Sequence, residues 1–371
     1  MNDDNLPSVV IYPLSRAVMI NLSAISPLQV PQVSYAATTT ALDNNETYPF
    51  FQRTVASDNY QADALVDLLI QMKWKYISVV YSDDAYGNDL YSIFVEKAKA
   101  KSICVAMSPT ITVGYSADDF QSVVRVLRGN PQANVVLLLT SDVHTRDLLT
   151  AAETLQVNDL QWVGTDTWGS RDYVTEMAPI TSRGAITLQF REFVDQDFID
   201  YFSSLNPYNN FRNPWWKLFL SRKFECNLYG YDVPQDYETQ CAWDVQTNLA
   251  DDPQEPEVTY IILAVKAFAV GLHEALLELC PDKTNHLCNE VIENPQVLQD
   301  KIRAARVPLD GDDVFQFDEL GNGPALYDIL NYQMTNNSLN ATKVRIGSAI
   351  RITLCQTSTV NVACSSNYCA T

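Results

Sequence analysis

The feature that most constrains this chain is a regular alternation between residues 59 and 165. Ala62, Leu65, Val66, Leu69 and Ile70 recur at helical spacing, and "YISVVYS" (76–82) then reads as a buried strand. Leu90, Ile93 and Phe94 mark a second helix before "ICVAM" (103–107). Phe120, Val123, Val124 and Leu127 mark a third before "ANVVLLLT" (133–140). Leu148, Leu149, Ala152 and Leu155 mark a fourth before "LQWVGTD" (160–166). Each strand start follows the last by the length of one βα unit. Apolar strands joined by amphipathic helices require a parallel sheet covered on both faces.

The first 56 residues look like another piece of the same architecture: strand "SVVIY", helix "SRAVMINLSAI", strand "VPQVSYA". They hold too few strands for a complete lobe. After residue 190 come a helix near 195–204, an aromatic-rich loop (207–243), a long helix at 258–279 and a helix around 295–305. Strands near 314–317 and 326–333 follow. The expected fold class is α/β, with two doubly wound lobes, lobe one incomplete, and a ligand cleft between them at the carboxyl ends of their strands.

Composition removes several functions. With 45 acidic against 25 basic residues the formal net charge is −20. Nucleic-acid binding needs clustered Lys and Arg, so it is not expected. There is no GxGxxG after a strand, no GxxxxGK[ST] and no GxSxG, and the chain has only 12 glycines for phosphate-cradling loops. "GLHEALLE" lacks the second histidine of a zinc-protease helix. The pairs Asp83-Asp84, Asp118-Asp119 and Asp312-Asp313 read as helix caps and solvated loops. No nucleophile–base constellation emerges, so the chain is not expected to be an enzyme or to carry a cofactor or metal.

The apolar stretch Val258–Leu279 is interrupted by Lys266, His273, Glu274 and Glu278, the pattern of a buried helix rather than a membrane span. As written, the chain shows neither an export signal nor a membrane anchor. Of its eight cysteines, seven lie at 226, 241, 280, 288, 355, 364 and 369, with no CxxC pair. Cys226/Cys241 and Cys280/Cys288 each bracket a loop-like segment that a local disulfide closes easily, although unrelated buried thiols have the same spacing. Sequons at Asn21, Asn45, Asn336 and Asn340 are compatible with secretion. Together these features point to an oxidising compartment.

Polar residues gather at the predicted strand ends and helix starts. Ser15 opens a helix, where backbone N–H groups favour a carboxylate. Thr38 follows a strand end, Asp58 opens the helix in "VASDNYQA", and Tyr86 lies in "SDDAYGND". Asp166 ends "WVGTD" and Arg171 follows in "DTWGSRD". Such residues suit a zwitterion, whose ammonium needs carboxylates and whose carboxylate needs N–H and hydroxyl donors. Each reads equally well as a cap or turn former, and spacing alone does not join them.

Residues 30–90, "VPQVSYAATTTALDNNETYPFFQRTVASDNYQADALVDLLIQMKWKYISVVYSDDAYGNDL", resemble the ligand-binding domain of metabotropic glutamate receptors, the class C G-protein-coupled receptors. "FRNPWWKLFLSRKFEC" (211–226), "ALLELCPDKTNHLC" (275–288) and "FDELGNGPALYDILNYQ" (317–333) are similar to the same family. The resemblance runs from about Val9 to the end of the chain. It implies a two-lobed clamshell of the periplasmic-binding-protein type I class. Lobe one would take 1–56 plus 191–324, lobe two 57–190 plus 325–354, and 355–371 would begin a cysteine-rich domain.

It further implies that Ser15 and Thr38 hold an amino acid's head group from lobe one, with Ala36 leaving backbone open beside it. Asp58, Tyr86 and Asp166 would close over the amine from lobe two, and Arg171 would lie near the ligand's distal end. The pairs Cys226–Cys241 and Cys280–Cys288 follow from the same likeness, and Cys104 would bridge to a cysteine beyond Thr371. The implied protein senses an L-α-amino acid on the outer face of the plasma membrane and closes within a homodimer. It signals to a heterotrimeric G protein through a membrane domain. Helices at 15–26 and 59–73 resemble the family's dimer-facing helices. Leu320 stands where the family's glutamate receptors carry a lysine, which argues against glutamate as the ligand. The opening of lobe one and the leader expected of the family are not in this chain, as in a partial chain. The alternative is a soluble amino-acid-binding or decoy protein with no signalling of its own.

Overall fold

The computed structural model describes residues 10–12, 29–228, 237–242, 254–281, 288–309, 313–335 and 338–344. Three short parallel strands come first: β1 (Val10–Tyr12), β2 (Gln32–Ser34) and β3 (Phe51–Arg53), hydrogen-bonded in that order. Ser34 lies opposite Arg53, and a parallel bridge from Arg53 to Asn322 brings a distant segment alongside β3.

The alternating region folds as its pattern requires. It runs α1 (Asp58–Gln71), β4 (Tyr76–Ser82), α2 (Ala85–Ala100), β5 (Cys104–Met107) and β6 (Thr110–Ile111). It continues through α3 (Ala117–Arg128), β7 (Val135–Leu139), α4 (Asp142–Thr154), β8 (Gln161–Gly164), the short α5 (Asp172–Thr175) and β9 (Ile186–Phe190). Later segments add α6 (Gln196–Ser203), α7 (Trp216–Lys223), α8 (Pro256–Leu279), α9 (Asn289–Glu293) and α10 (Pro295–Arg303). The described chain ends with strands β10 (Arg306–Pro308), β11 (Val314–Gln316), β12 (Tyr327–Thr335) and β13 (Ser338–Val344).

An eight-stranded sheet has the order β13-β12-β9-β8-β7-β4-β5, with β6 also on β4. The strands from β5 to β9 are parallel, while β12 and β13 run antiparallel at one side. Although β7 is apolar throughout, its pleat sorts its residues. Leu137 and Leu139 join Ile77 and Val79 beneath Leu65 and Leu69 of α1 and Phe94 of α2. Val136 and Leu138 join Val80 beneath Phe120 and Leu127 of α3 and Leu148 of α4. Both faces are therefore covered, which is why the strands carry no polar alternation.

Helix starts are fixed by short polar side chains. Ser57 caps α1, Asp84 caps α2, Ser116 and Asp119 form a capping box on α3, and Ser141 caps α4. A third core joins Val33, Val55 and Ala56 to Leu263 and Ala267 of α8, Leu298 and Ile302 of α10, and Phe315. Helix α8 is long and apolar enough to cross a membrane by length and composition, yet its Tyr260, Leu263, Ala267 and Leu276 belong to this core.

The chain divides into two compact units. The larger contains Met1–Arg191, Tyr260–Leu309 and Asp313–Thr371, and the smaller Glu192–Thr259 with Asp310–Asp312. The smaller has its own core, in which Leu205, Trp216, Leu220 and Leu228 meet Phe202. It is stapled by Cys226–Cys241 across a separation of 15 residues, a closure worth roughly 3 kcal/mol in the chain-entropy model. Cys280–Cys288 is also bonded. Cys104, expected to pair beyond Thr371, is disulfide-bonded.

Gly323 lies where the 318–323 segment passes β3, its N–H donating to the Val55 carbonyl at 3.1 Å. A Cβ there would sit 1.8 Å from the Thr54 carbonyl oxygen. Gly323→Ala is therefore expected to lower stability by roughly 1–3 kcal/mol or more, since backbone on both sides must move. Urea unfolding monitored by tryptophan fluorescence checks this, and an unchanged midpoint would refute it.

Candidate functional site

The site begins with an arginine inside a strand. Arg53 is fully buried, and its guanidinium is met on several sides. Nε donates to Asn322 Oδ1 at 2.6 Å, Nη1 to the carbonyls of Ala37 (2.8 Å) and Thr39 (2.9 Å), and Nη2 to Asp43 Oδ1 at 2.5 Å. Burial lowers its pKa, and the neighbouring Asp43 and Asp58 charges oppose that shift. The fork of donors gives the loop after β2 its path, because two of the acceptors are that loop's own carbonyls. Ser34 Oγ accepts from the Ala37 N–H at 3.1 Å and tightens the turn from the other side.

Asp43 carries the order onward. Its second oxygen accepts from Ser57 Oγ at 2.7 Å and Asn59 Nδ2 at 3.2 Å, which locks the first turn of α1. Asp58 is the first residue of that helix, and its N–H donates to the Thr38 carbonyl at 2.8 Å. The Asp58 side chain is buried, and neither carboxylate oxygen makes a hydrogen bond of normal geometry, the Thr38 hydroxyl lying near enough only to favour its charge. Burial first, then repulsion by Asp166, pushes its pKa up to about 8, against the pull of Arg53 and the Thr38 hydroxyl.

Gln61, one turn further along α1 and fully buried, spans the site. Its amide donates to Asp166 Oδ1, and its Oε1 accepts from the Tyr86 hydroxyl at 3.4 Å. The Tyr86 hydroxyl also donates to Thr165 Oγ1 at 3.1 Å, and Thr165 pairs with Thr167 at 2.9 Å. Tyr86 is raised well above its ordinary value by burial and then by Asp166 and Asp58. Tyr327, on β12 and stacked on Phe190 with centroids 5.2 Å apart, has a buried hydroxyl without a partner. The same causes, in the same order, raise it.

Thr38, Asp58, Tyr86 and Asp166 are thus joined in one network or in direct electrostatic contact. Ala36 is half-buried beside it, its N–H making only a long 3.4 Å contact to Ser34 Oγ. Arg171 Nη1 donates to the carbonyls of Asp166 and Thr167, both at 2.8 Å, and so shapes the turn that carries Asp166. Leu320 is 43% exposed in the Asp318–Gly321 turn, with its N–H on Asp318 Oδ1 at 2.9 Å. Ser15 lies outside the described residues, as do Asn21 and Asn336. Asn340 is exposed on β13, whereas Asn45 is half-buried and in contact with Arg303 and the Glu319 carbonyl.

Sequence reasoning missed Gln61, Arg53 and Tyr327. Signals existed for the first two: Gln61 follows Asp58 at helical spacing, and Arg53 is a lone cation between the apolar pairs Phe50-Phe51 and Val55-Ala56. Tyr327 had none, because its neighbours are set by tertiary contact. One group of possible metal ligands lies among the described residues, Cys280, Cys288 and Glu290, but its two sulfurs are bonded to each other.

Arg53 is committed to Asp43 and to carbonyls, while Asp58 and Asp166 repel each other. Carboxylates, a tyrosine and a threonine-lined loop at the ends of parallel strands define a small-molecule binding domain.

The comparisons make the class particular. The family model described as "Receptor family ligand binding region" matches residues 2–335. Metabotropic glutamate receptor 4 of Macaca fascicularis is 32% identical over 321 residues, covering 84% of this chain and 34% of the relative. The chain therefore spans about a third of that relative's length. It belongs to the receptor-family ligand-binding regions, with the α/β, type I periplasmic-binding-protein architecture, as a ligand-binding domain of the class C receptor type.

Asp58 yields a test of the site without any ligand. Its folded pKa of about 8 exceeds an unfolded value of about 3.9. The unfolded chain thus ionises first, and Asp58's contribution to stability declines as pH rises across that window. Asp58→Asn removes this slope. The variant should unfold at a higher temperature than the unmutated chain at pH 8, and the difference should shrink towards pH 4. Differential scanning calorimetry across that range decides it, and a pH-independent difference would refute the assignment.

Proposed function

We propose that this chain is the extracellular amino-acid-sensing domain of a metabotropic glutamate receptor-like G-protein-coupled receptor. It binds an L-α-amino acid, and the observation that carries the reading is the buried, unpartnered Asp58 carboxylate beside Asp166. Its pKa of about 8 keeps Asp58 protonated at neutral pH; an α-ammonium between it and Asp166 favours release of that proton and supplies charge-assisted bonds worth roughly twice a neutral one. Thr38 and the backbone near Ala36 face the same head group, with Ser15 assigned to its carboxylate by the family likeness. The site acts by binding, not by catalysis.

The relative's name refers to glutamate, yet Leu320 offers this chain's ligand no cation. A small or neutral side chain fits that position better. In this reading the amino acid favours the closed arrangement, because lobe-two groups reach it only when the lobes meet. Closure reorients a homodimer, and a membrane domain passes the change to a heterotrimeric G protein. Placement outside the plasma membrane, with glycans at the sequons, belongs to the same proposal. A soluble amino-acid-binding or decoy protein shares the site, and is the reading if the complete transcript ends at Thr371 without seven apolar spans.

A thermal-shift panel of L-amino acids tests the ligand class. Small neutral members should stabilise the protein more than glutamate does, by an amount that grows with ligand concentration as mass action requires. Glutamate giving the largest shift would overturn the specificity. Thr38→Ala and Asp166→Ala should each abolish the shift while the ligand-free protein still melts cooperatively. If both variants still bind normally, the site is misassigned.

A further inference from the structure

One carboxylate near the site makes contacts that the binding network above does not use. Asp89, on α2, accepts from Thr39 Oγ1 at 2.8 Å and from the Thr40 N–H at 3.0 Å, both through Oδ2. The Thr40 hydroxyl lies 3.0 Å from Oδ1 and 3.2 Å from Oδ2. Thr39 and Thr40 directly follow Thr38, and Asp89 stands one helical turn after Tyr86, on the same face of α2.

We propose that Asp89 is a positioning residue for amino-acid binding, a latch that fastens the Thr38 loop to the helix carrying Tyr86 without touching the ligand. The proposal rests on the amino-acid reading above. By the lobe boundaries drawn from sequence, the loop lies in lobe one and α2 in lobe two, so the latch ties the two sides of the cleft together.

Both halves of the latch are held in place before they meet. On one side, Arg53 grips the Ala37 and Thr39 carbonyls, so the loop presents its hydroxyls in a set direction. On the other, Asp84 caps α2 and Gly87 lies so close to Ser82 that a Cβ would fall 2.2 Å from its carbonyl oxygen. The first turn of α2 is therefore seated on the end of β4. Asp89 needs no movement to receive the two threonines once the loop is opposite it, and the bonds are charge-assisted. A latch of this kind slows escape of the ligand more than it speeds entry, because it must break before the cleft opens.

The test measures affinity and dissociation rate for Asp89→Ala, Thr40→Val and the double variant, using whichever standard L-amino acid most stabilises the unmutated 371-residue chain. Amide exchange of residues 39 and 40 is followed in parallel without ligand. Each single variant should weaken binding by about tenfold or more, mainly through faster dissociation. The double variant should be little worse than either single, as expected of partners in one interaction. Unchanged affinity in Asp89→Ala, or fully additive losses, would overturn the latch. If no amino acid stabilises the unmutated chain, the binding reading fails by itself. The latch is then judged by exchange alone: faster exchange at 39 and 40 in Asp89→Ala supports it, and unchanged protection refutes it.

Discussion

The larger unit depends on an arginine that has been taken out of water. Burying a guanidinium is unfavourable unless its donors are met, and the Arg53 acceptors come from widely separated parts of the chain. Asn322, 269 residues away in sequence, takes one bond, and the loop after β2 and Asp43 take the others. That closure ties the 318–323 segment to the first sheet. Asp43 passes the constraint to the start of α1, so a single ion pair sets both the threonine loop and the helix that presents Asp58.

The same arrangement explains why the ionised form of Asp58 is disfavoured. Arg53 is close enough to Asp58 to lower its pKa, but its hydrogen bonds are spent elsewhere. Asp58 is left desolvated beside Asp166, so it keeps its proton to about pH 8 and only its ionised form is unfavourable. Binding sites commonly carry such local instability, and a ligand of the right charge removes it. Rigid surroundings keep the groups from relaxing: Gln61 bridges Tyr86 and Asp166, while Arg171 braces the turn beneath Asp166.

The parallel strands β4, β7 and β8 were legible because both of their faces are buried and their residues are mostly apolar, with Ser78 inside β4 satisfied by the Ala133 carbonyl at 3.1 Å. Strand β9 was not, since Thr187 and Gln189 give it a mixed pattern, and Thr187 is satisfied by the Gly169 carbonyl at 2.8 Å. Strand β13, "SLNATKV", lies at the end of the sheet order with only Leu339 and Ala341 packed on the core, so its apolar signal is weak. Asp58, Tyr86 and Asp166 were visible only as residues at strand ends and helix starts, where caps and ligand contacts use the same side chains. The family likeness joined them before the coordinates did.

Sequence alone determined the α/β alternation, the acidic balance, and the polar residues available at the strand ends. These follow from local periodicity and composition, which a chain carries whatever its tertiary contacts. Only the tertiary structure decided that Asp58 is buried without a partner, that Gln61 bridges Tyr86 to Asp166, and that Arg53 meets Asn322. It also decided which side chains meet Thr39 and Thr40: Asp89, 49 residues downstream of Thr40. Desolvation and charge pairing act between atoms that only folding brings together, and no spacing along the chain encodes them.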